Sequence, residues 1–267
     1  MIKRVGSAVL GIIFMVFMIY KGGFLFLLTS MALSLLAAIE MGRMMKRIGL
    51  KDMVTFLYAG ALLFPLLLYF EASWLPSFLA LFVLSGAVIS LSQYPEGKFQ
   101  DLGANFLAVL YIGFGFSHFV LLREMDQGML LLTYGFVVVW LTDIGAYLIG
   151  TYFGKRPFFQ DISPSKTVEG AIGGLACGVV GAILFCNIVG RYFPLESKGM
   201  LITFSIFLSA AAQTGDLFES AIKRQARVKD SSRLIPGHVG IMDRFDSALW
   251  AIPLLYHLLK LRMDIFL

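Results

Sequence analysis

The sequence predicts an all-α, polytopic transmembrane protein with about nine spanning helices and a cytoplasmic N-terminus. Of its 267 residues, 58% are hydrophobic and only 15% are charged. A soluble domain carries about 25% charged residues, so this chain lacks the polar side chains that would cover a water-facing surface. Disorder is also excluded, because it requires low hydrophobicity and high charge. Apolar runs recur along the whole chain, separated by short polar or Gly/Pro stretches.

One membrane crossing takes about 20 residues in a helix. Nine apolar runs are close to that length. The break at 21–23 is short, so a single bent segment there would leave eight spans. The predicted spans are 5–20, 23–41, 53–70, 74–92, 103–122, 129–150, 168–190, 199–222 and 244–262.

The distribution of basic residues orients these spans. With nine crossings, sixteen of the 22 Lys and Arg residues fall on the side that holds the N-terminus. Cytoplasmic loops carry the excess of Lys and Arg, so that side is predicted to face the cytoplasm. The net charge of +5 is then explained by topology, and no nucleic acid is expected as a partner.

The chain shows no soluble domain and no internal repeat. We divide it into N-terminal transmembrane helices, 1–125, and a C-terminal transmembrane region, 126–267, which carries the candidate functional residues. Two polar segments of this second region, 151–168 and 223–243, are predicted to be cytoplasmic. The longer one exceeds a plain turn, and a loop of such length is usually functional.

Acidic residues in or beside the spans concentrate in the C-terminal region. Ionisable groups within a membrane are costly and tend to mark function. Asp216 and Glu219 are three residues apart, as are Asp243 and Asp246, so each pair can share one helical face. Asp143 lies inside the sixth span. Paired carboxylates beside basic loops suit a Mg²⁺ that bridges to phosphates, with interfacial salt bridges as the alternative.

Basic residues crowd the two polar segments. Such clusters attract anionic lipid headgroups, so a topology signal is one explanation. The segments also hold Ser, Thr, Gly and Pro residues, which let backbone N–H groups approach a phosphate closely. Ser165 or Thr167 is predicted to cap the helix that follows. Gly170, Gly174 and Gly178 recur every four residues, which predicts a helix-packing face.

Two motifs resemble the signatures of the phosphatidate cytidylyltransferases. The stretch from Ser220 to Asp246 matches S-x-x-K-R, four residues, K-D, and then P-G-H-G-G-x-x-D-R-x-D, with Val239 replacing the first glycine after the histidine. The stretch from Ser163 to Gly170 is similar to a second hallmark, S-P-x-K-T-x-E-G. If the replaced glycine has a positive φ, Val239 would displace the loop and lower the activity.

The resemblance implies an enzyme that transfers the cytidylyl group of CTP to phosphatidate, giving CDP-diacylglycerol and pyrophosphate for phospholipid synthesis. It implies an integral protein of the cell (inner) membrane, in contact with membrane lipids, with its active site facing the cytoplasm. Mg²⁺ is the expected cofactor, and a second cation and a homodimer are left open. A CTP-dependent polyprenol or other lipid kinase is the nearest alternative, followed by a membrane transporter.

The same resemblance assigns roles to individual residues. The attacking phosphate is already ionised, so no strong general base is required, and the histidine is assigned to positioning or hydrogen bonding. The expected catalytic residues are Asp216, Asp243, Asp246, Lys223, Arg224 and His238. The expected substrate-binding residues are Ser163, Lys166, Thr167, Glu169, Ser220, Lys229, Asp230, Arg233 and Arg244. The expected Mg²⁺ ligands are drawn from Asp143, Asp216, Asp243 and Asp246.

Overall fold

The computed structural model describes residues 2–195, 197–232 and 240–266, and within them the chain is helical, with no β-strand. A helix coincides with each of the nine predicted segments. A π-helical turn, Leu110–Phe114, joins two helices into one continuous stretch, Phe99–Glu124. The helices are α1 (Ile2–Lys21), α2 (Gly23–Arg47), α3 (Val54–Phe70), α4 (Leu75–Ser92), α5 (Phe99–Val109), α6 (Gly115–Glu124), α7 (Gly128–Phe153), α8 (Val168–Val189), α9 (Lys198–Gln225), α10 (Met242–Phe245) and α11 (Ala248–Phe266).

Within the described ranges, six helices are long and apolar enough to cross a membrane, which makes the chain an integral membrane protein. Helices α1, α3 and α11 are not among the six. Helix α3 has only 17 residues, and α11 carries charges near its end. The count of nine crossings and the side of the N-terminus therefore stay predictions. The six helices are Gly23–Arg47, Leu75–Ser92, Phe99–Glu124, Gly128–Phe153, Val168–Val189 and Lys198–Gln225.

Helix α4 shows how these helices meet their surroundings. Leu81, Leu84, Val88 and Leu91 follow one another at helical spacing, and each is between 62% and 74% exposed. A continuous apolar stripe of this kind is unfavourable in water, whereas lipid tails cover it without cost. The exposed stripe therefore agrees with a helix that faces lipid.

The helices form two compact units, each built from two stretches of the chain. Unit 1 comprises Met1–Leu121 and Ile222–Arg244. Unit 2 comprises Leu122–Ala221 and Phe245–Leu267. The longer polar segment, predicted at 223–243, thus belongs to the same unit as the N-terminal helices.

Aromatic side chains and a close backbone contact hold unit 1 together. Phe56 and Phe82 stack with their ring centroids 4.1 Å apart, and Phe64 meets Phe82 edge-on at 5.5 Å. A Cβ atom added at Gly113, in the π-helical turn, would lie 2.8 Å from the backbone oxygen of Gly60 in α3. Two glycines thus allow α3 and the π-helical turn to touch backbone to backbone.

Unit 2 is organised by the glycine face of α8, as predicted. A Cβ atom added at Gly170 would lie 2.8 Å from the backbone oxygen of Ala146, and one at Gly174 would lie 2.9 Å from that of Thr142. Both oxygens belong to α7. The small residues therefore let α8 pack directly on the backbone of α7, which fixes the first turn of α8 beside the last turns of α7.

Two helix boundaries differ from the prediction. Helix α9 continues through Gln225, so Lys223 and Arg224 lie in its last turn, where cations are favourable. The final helix is interrupted, because α10 ends at Phe245 and α11 begins at Ala248. Asp243 therefore lies in α10 and Asp246 follows its last residue, so the structure does not place the two carboxylates in one helix. The carboxylate of Asp246 accepts the N–H of Ser247 at 2.7 Å, a local hydrogen bond that competes with the helical backbone.

Candidate active site

A cavity of about 360 Å³ lies in unit 2, lined by residues of α7, α8, α9 and the segment that connects α7 to α8. Its volume falls within the range of small-molecule sites. The cavity brings together five of the residues expected to bind substrate or metal, although they are widely separated along the chain. They are Asp143, Ser163, Lys166, Thr167 and Asp216.

The segment between α7 and α8 folds back on itself at the rim of this cavity. The N–H of Phe158 donates to the backbone oxygen of Lys166, and the N–H of Val168 donates to that of Arg156, both at 2.9 Å. These two hydrogen bonds bring the beginning and the end of the segment together. Lys166 is consequently held one residue before the cap of α8.

The first turn of α8 fixes the same segment through two side chains. Thr167 accepts the N–H of Gly170 at 3.1 Å, which confirms the predicted cap. Glu169 accepts the backbone N–H groups of Lys155 and Arg156 at 3.0 and 3.1 Å. Glu169 thus ties the start of the segment to α8, a structural contact in addition to the substrate-binding role expected from the motif.

An ion pair between Lys166 and Asp216 is the main polar feature of the cavity. The Lys166 Nζ lies 2.7 Å from the Asp216 Oδ2, and the two side chains are 24% and 37% exposed. The hydroxyl of Ser220, one helical turn further along α9, makes a long contact of 3.5 Å to the Asp216 Oδ1. The Lys166 Nζ itself is buried, whereas the Asp216 side chain is partly exposed and lines the cavity. A ligand in the cavity can therefore reach the Asp216 carboxylate.

Two further carboxylates of unit 2 lie near this pair. Asp143 interacts electrostatically with Asp246, Asp216 and Lys166. A Cβ atom added at Gly215 would lie 2.5 Å from the backbone oxygen of Asp246, so α9 packs closely against the turn that precedes α11. The structure thus gathers three of the four expected Mg²⁺ ligands within one unit.

The donor chemistry of the cavity suits a hard cation that is shared with a substrate. Across the described parts of the chain, no group of three or more His, Cys, Asp and Glu side chains is arranged to hold a metal ion. Mg²⁺ does not need such a group, because it is usually bound by one or two carboxylates together with waters and substrate phosphates. Asp143 and Asp216 line the cavity and supply that minimal set of oxygen donors.

The longer motif is organised in unit 1 around Asp243. The Lys223 Nζ lies 2.6 Å from the Asp243 Oδ1. The Asp243 Oδ2 accepts the N–H of Ser231 at 2.8 Å, the N–H of Gly240 at 2.9 Å and the Ser231 hydroxyl at 2.7 Å. Burial raises the pKa of Asp243, but the hydrogen bonds from Lys223 and Ser231 outweigh burial and hold the pKa below its ordinary value of 3.8.

Glu40, on α2, joins this arrangement and was not predicted. Its side chain is fully buried. The Oε1 accepts the N–H of Ile241 at 3.0 Å, and the Oε2 accepts the N–H of Met242 and the hydroxyl of Ser231, both at 2.9 Å. Ionisable residues within a span tend to mark function. This reasoning singled out Asp143, and it applies equally to Glu40, which lies inside the predicted span 23–41.

The remaining residues of the longer motif are only partly described. Arg224, Lys229 and Arg244 belong to unit 1 and are exposed, and Asp230 is half-buried. The expectations for Arg233, His238 and Val239 lie outside the described residues and stay predictions.

Comparison with known proteins relates both motifs to one family. The sequence model of the cytidylyltransferase family matches residues 2–262. A phosphatidate cytidylyltransferase of Bacillus subtilis is 37% identical over 268 residues, which cover 97% of this chain and 97% of that protein. The similarity therefore extends through the N-terminal helices as well as the motifs.

Two staphylococcal proteins show similarity over a comparable length. A phosphatidate cytidylyltransferase of Staphylococcus haemolyticus is 36% identical over 260 residues, which cover 96% of this chain and 98% of that protein. Its counterpart of the same name in Staphylococcus epidermidis is 33% identical over 262 residues, with the same two coverages of 96% and 98%.

Proposed function

Since the chain belongs to the cytidylyltransferase family, we propose that it transfers the cytidylyl group of CTP to phosphatidate. A phosphate oxygen of phosphatidate attacks the α-phosphorus of CTP. The bond from that phosphorus to the bridging oxygen breaks, and pyrophosphate leaves with the bonding electrons. The products are CDP-diacylglycerol, which serves phospholipid synthesis, and pyrophosphate.

The observation that carries this proposal is the ion pair of Lys166 and Asp216 in the unit 2 cavity. Both substrates are anions, so the task of the protein is to position them and to offset their charge. Lys166 donates to a phosphate oxygen when CTP enters, and Asp216 is then free to take a cation. Ser163 and Thr167 line the same cavity and donate hydroxyl hydrogen bonds to phosphate oxygens.

The longer motif supplies the other basic residues. Arg224, Lys229 and Arg244 bind phosphates of the substrates, and so does Arg233, with His238 as a positioning residue. Asp243 acts through the backbone groups that it holds, because its oxygens already accept from Lys223, Ser231 and Gly240. We therefore assign Asp243 to the organisation of the motif and keep direct cation binding for the carboxylates of unit 2.

Mg²⁺ is the cofactor that we assign to these carboxylates. Asp216 and Asp143 would hold it from the cavity, with Asp246 nearby. Held there, Mg²⁺ would offset negative charge on the phosphates of CTP. A second cation has room in a site with three carboxylates and remains part of the proposal.

The orientation in the membrane follows from charge. We propose nine crossings of the inner membrane with a cytoplasmic N-terminus, because sixteen of the 22 Lys and Arg residues then lie on the cytoplasmic side. This arrangement supports the proposed reaction, since CTP is a cytoplasmic nucleotide and the lipid headgroup lies at the interface.

The test is pyrophosphate release by the purified protein in detergent, with phosphatidate and Mg²⁺, offering CTP and ATP in parallel. Release that requires both CTP and phosphatidate is expected. Asp246→Asn should abolish it, whereas Asp161→Asn, at an exposed position of the α7–α8 segment, should leave it unchanged. Silence of both the wild-type protein and Val239→Gly would contradict the proposal, and release that depends on ATP would favour a lipid kinase.

A further inference from the structure

Gln213, on α9, lines the unit 2 cavity, although it precedes the longer motif in the sequence. It lies about one helical turn before Asp216, so the two side chains project from the same side of α9. The half-buried side chain of Gln213 reaches α8, where its Nε2 donates to the backbone oxygen of Ala171 at 3.2 Å. A polar group that the sequence did not single out is thus held beside the Lys166–Asp216 pair.

The hydrogen bond to Ala171 determines which end of the amide remains for a ligand. A backbone carbonyl oxygen only accepts hydrogen bonds, so the amide nitrogen of Gln213 must face Ala171 and the Oε1 must face away from it. Among the described residues, none donates to this Oε1, and the atom is not sealed from solvent. Gln213 therefore presents an acceptor to a molecule that occupies the cavity.

An acceptor at this point sets a chemical requirement on the ligand. The phosphate and ester oxygens of the proposed substrates are acceptors themselves, so the Oε1 would repel them. Cytosine carries a donor, the amine on C4, whereas uracil, like thymine, carries an acceptor oxygen in the same place. The ribose hydroxyls can also donate, but CTP and UTP share them. A hydrogen bond to the amine is therefore the contact of Oε1 that would distinguish these two nucleotides.

The walls of the cavity also carry small and aromatic side chains. Ala146 of α7 and Ala171 of α8 are small, which leaves room for a ring beside the amide of Gln213. Tyr147 and Phe158 add aromatic rings, which stack on flat ligands. An apolar cavity with a few placed polar groups is typical of small-molecule recognition. These surroundings favour a base, rather than a phosphate, as the partner of Gln213.

We propose that Gln213 is the residue that selects cytosine: its Oε1 accepts a hydrogen bond from the C4 amine of CTP and faces the O4 of UTP unfavourably. This inference rests on the proposed function, in which CTP occupies the unit 2 cavity. The bond from Nε2 to Ala171 keeps the amide from rotating to offer its nitrogen to uracil. Lys166 and Asp216 serve the phosphates, which all nucleoside triphosphates share, and Gln213 reads the base.

The first experiment measures this selection without any need for turnover. Equilibrium binding of CTP and of UTP to the purified protein is measured in detergent, with Mg²⁺ and without phosphatidate. We expect the wild-type protein to bind CTP about 10- to 100-fold more tightly than UTP, since an acceptor that faces another acceptor loses its hydrogen bond. In Gln213→Met, which keeps the length of the side chain but has no amide, the ratio should fall to about threefold or less.

The matched control is the next residue of the same helix. Thr214 is exposed, does not line the cavity, and donates its hydroxyl to the backbone oxygen of Ala210. Thr214→Val should keep the wild-type ratio of the two affinities. This ratio is independent of the folded fraction, because both nucleotides bind the same folded molecules. If Gln213→Met binds neither nucleotide, Gln213→Asn, whose oxygen is withdrawn by one methylene group, replaces it and should lower the ratio.

A second experiment removes the other partner of the proposed hydrogen bond. The triphosphate of pyrimidin-2-one riboside has a hydrogen where cytosine has its amine. We expect the wild-type protein to bind it about tenfold more weakly than CTP. Gln213→Met should bind the two nucleotides equally, since neither then gains a hydrogen bond at this position. A residue that served only helix packing would leave the preference for CTP unchanged.

The outcomes are distinct. An equal CTP-to-UTP ratio in the wild-type protein and in Gln213→Met would overturn the proposal, because Gln213 would then act on groups that both nucleotides share or on packing alone. Equal binding of CTP and UTP by the wild-type protein would overturn it as well. If CTP is preferred through Gln213 but no pyrophosphate is released with phosphatidate, the proposed reaction fails and the selection of cytosine by Gln213 stands.

Discussion

The cavity of unit 2 and the longer motif of unit 1 each contain a lysine and an aspartate in contact. The distances are nearly equal, 2.7 Å for Lys166 and Asp216 and 2.6 Å for Lys223 and Asp243. Their surroundings differ. The first pair has side chains 24% and 37% exposed, whereas those of the second are 14% and 8% exposed.

The difference lies in the remaining hydrogen-bond capacity of each aspartate. Asp243 also accepts two backbone N–H groups and a hydroxyl, so a ligand would have to displace structural bonds. Among the described residues, Asp216 makes besides its ion pair only the long contact of 3.5 Å to the Ser220 hydroxyl, and it lines a cavity. The Lys166–Asp216 pair can therefore exchange partners with a ligand. The Lys223–Asp243 pair instead fixes the backbone of Ser231 and Gly240.

Removal of the cavity lysine should have the largest effect. Lys166→Met deletes the cation that offsets phosphate charge while keeping the length of the side chain. We expect turnover of CTP to fall by about 10²–10³, the usual loss when one preorganised electrostatic group is removed. The measurement is kcat for pyrophosphate release. Lys155→Met, at an exposed position of the same segment, serves as the control. An equal loss of kcat in Lys155→Met would show that the cavity position of Lys166 is not what matters.

Crowding the cluster formed by Glu40, Ser231, Gly240 and Asp243 should have the next largest effect. Gly240→Ala places a methyl group against the Glu40 carboxylate and the Ser231 hydroxyl. Overpacking costs about 1–3 kcal/mol, so we expect activity to fall by about 10- to 100-fold. Gly103→Ala, in α5, meets no atom within 4 Å and should be silent. Full activity of Gly240→Ala would contradict the described packing.

Loss of the Asp243 charge should appear in stability and depend on pH. The folded-state pKa of Asp243 is lowered, so its contribution is present above the unfolded value, near 3.8, and is lost as pH falls through the folded pKa. Asp243→Asn should destabilise the protein by about 3 kcal/mol at pH 7, since it removes the carboxylate that lies 2.6 Å from the half-buried Lys223 ammonium.

Thermal unfolding in detergent, followed by tryptophan fluorescence at several pH values, measures this contribution. The gap in Tm between the wild-type protein and Asp243→Asn should be constant between pH 7 and pH 5 and should narrow below 3.8. A gap that does not change with pH would show that the charge of Asp243 is not what stabilises the cluster.

The smallest effect is expected at Glu169, which ties the α7–α8 segment to α8. Glu169→Gln keeps one oxygen that accepts both backbone N–H groups, so activity should stay within about threefold. Glu169→Ala removes both bonds and should lower activity about tenfold, since the two lost hydrogen bonds together are worth roughly 1–2 kcal/mol. Steady-state assays at saturating substrates compare the two variants. Equal losses would indicate that Glu169 contacts substrate, as its motif suggests.

The helices and the packing face of α8 were predictable because their signals are local. Apolar length marks a helix that crosses a membrane, and glycines at every fourth position mark one face of it. The cap at Thr167 is likewise a feature of a few consecutive residues. The interruption after Phe245 was missed because it depends on one local hydrogen bond of Asp246, which an apolar run does not reveal.

The partners of the acidic residues were not predictable in the same way. Asp216 and Asp243 look equivalent in the motif, since nothing in their spacing shows which of them meets backbone N–H groups. Asp101, on α5, was not singled out either, although it accepts the N–H of Lys51 from the linker between α2 and α3 at 2.9 Å. Such pairings join residues far apart in sequence, so only the fold reveals them.

The bond between Glu40 and Met242 has a consequence for the order in which the protein is made. The two residues are 202 positions apart. At a synthesis rate of about 5–20 residues per second, roughly 10–40 s separate their appearance from the ribosome. During this interval the nascent helix α2 holds an acid whose final partners do not yet exist. The N-terminal unit is therefore completed only when almost the whole chain has been translated.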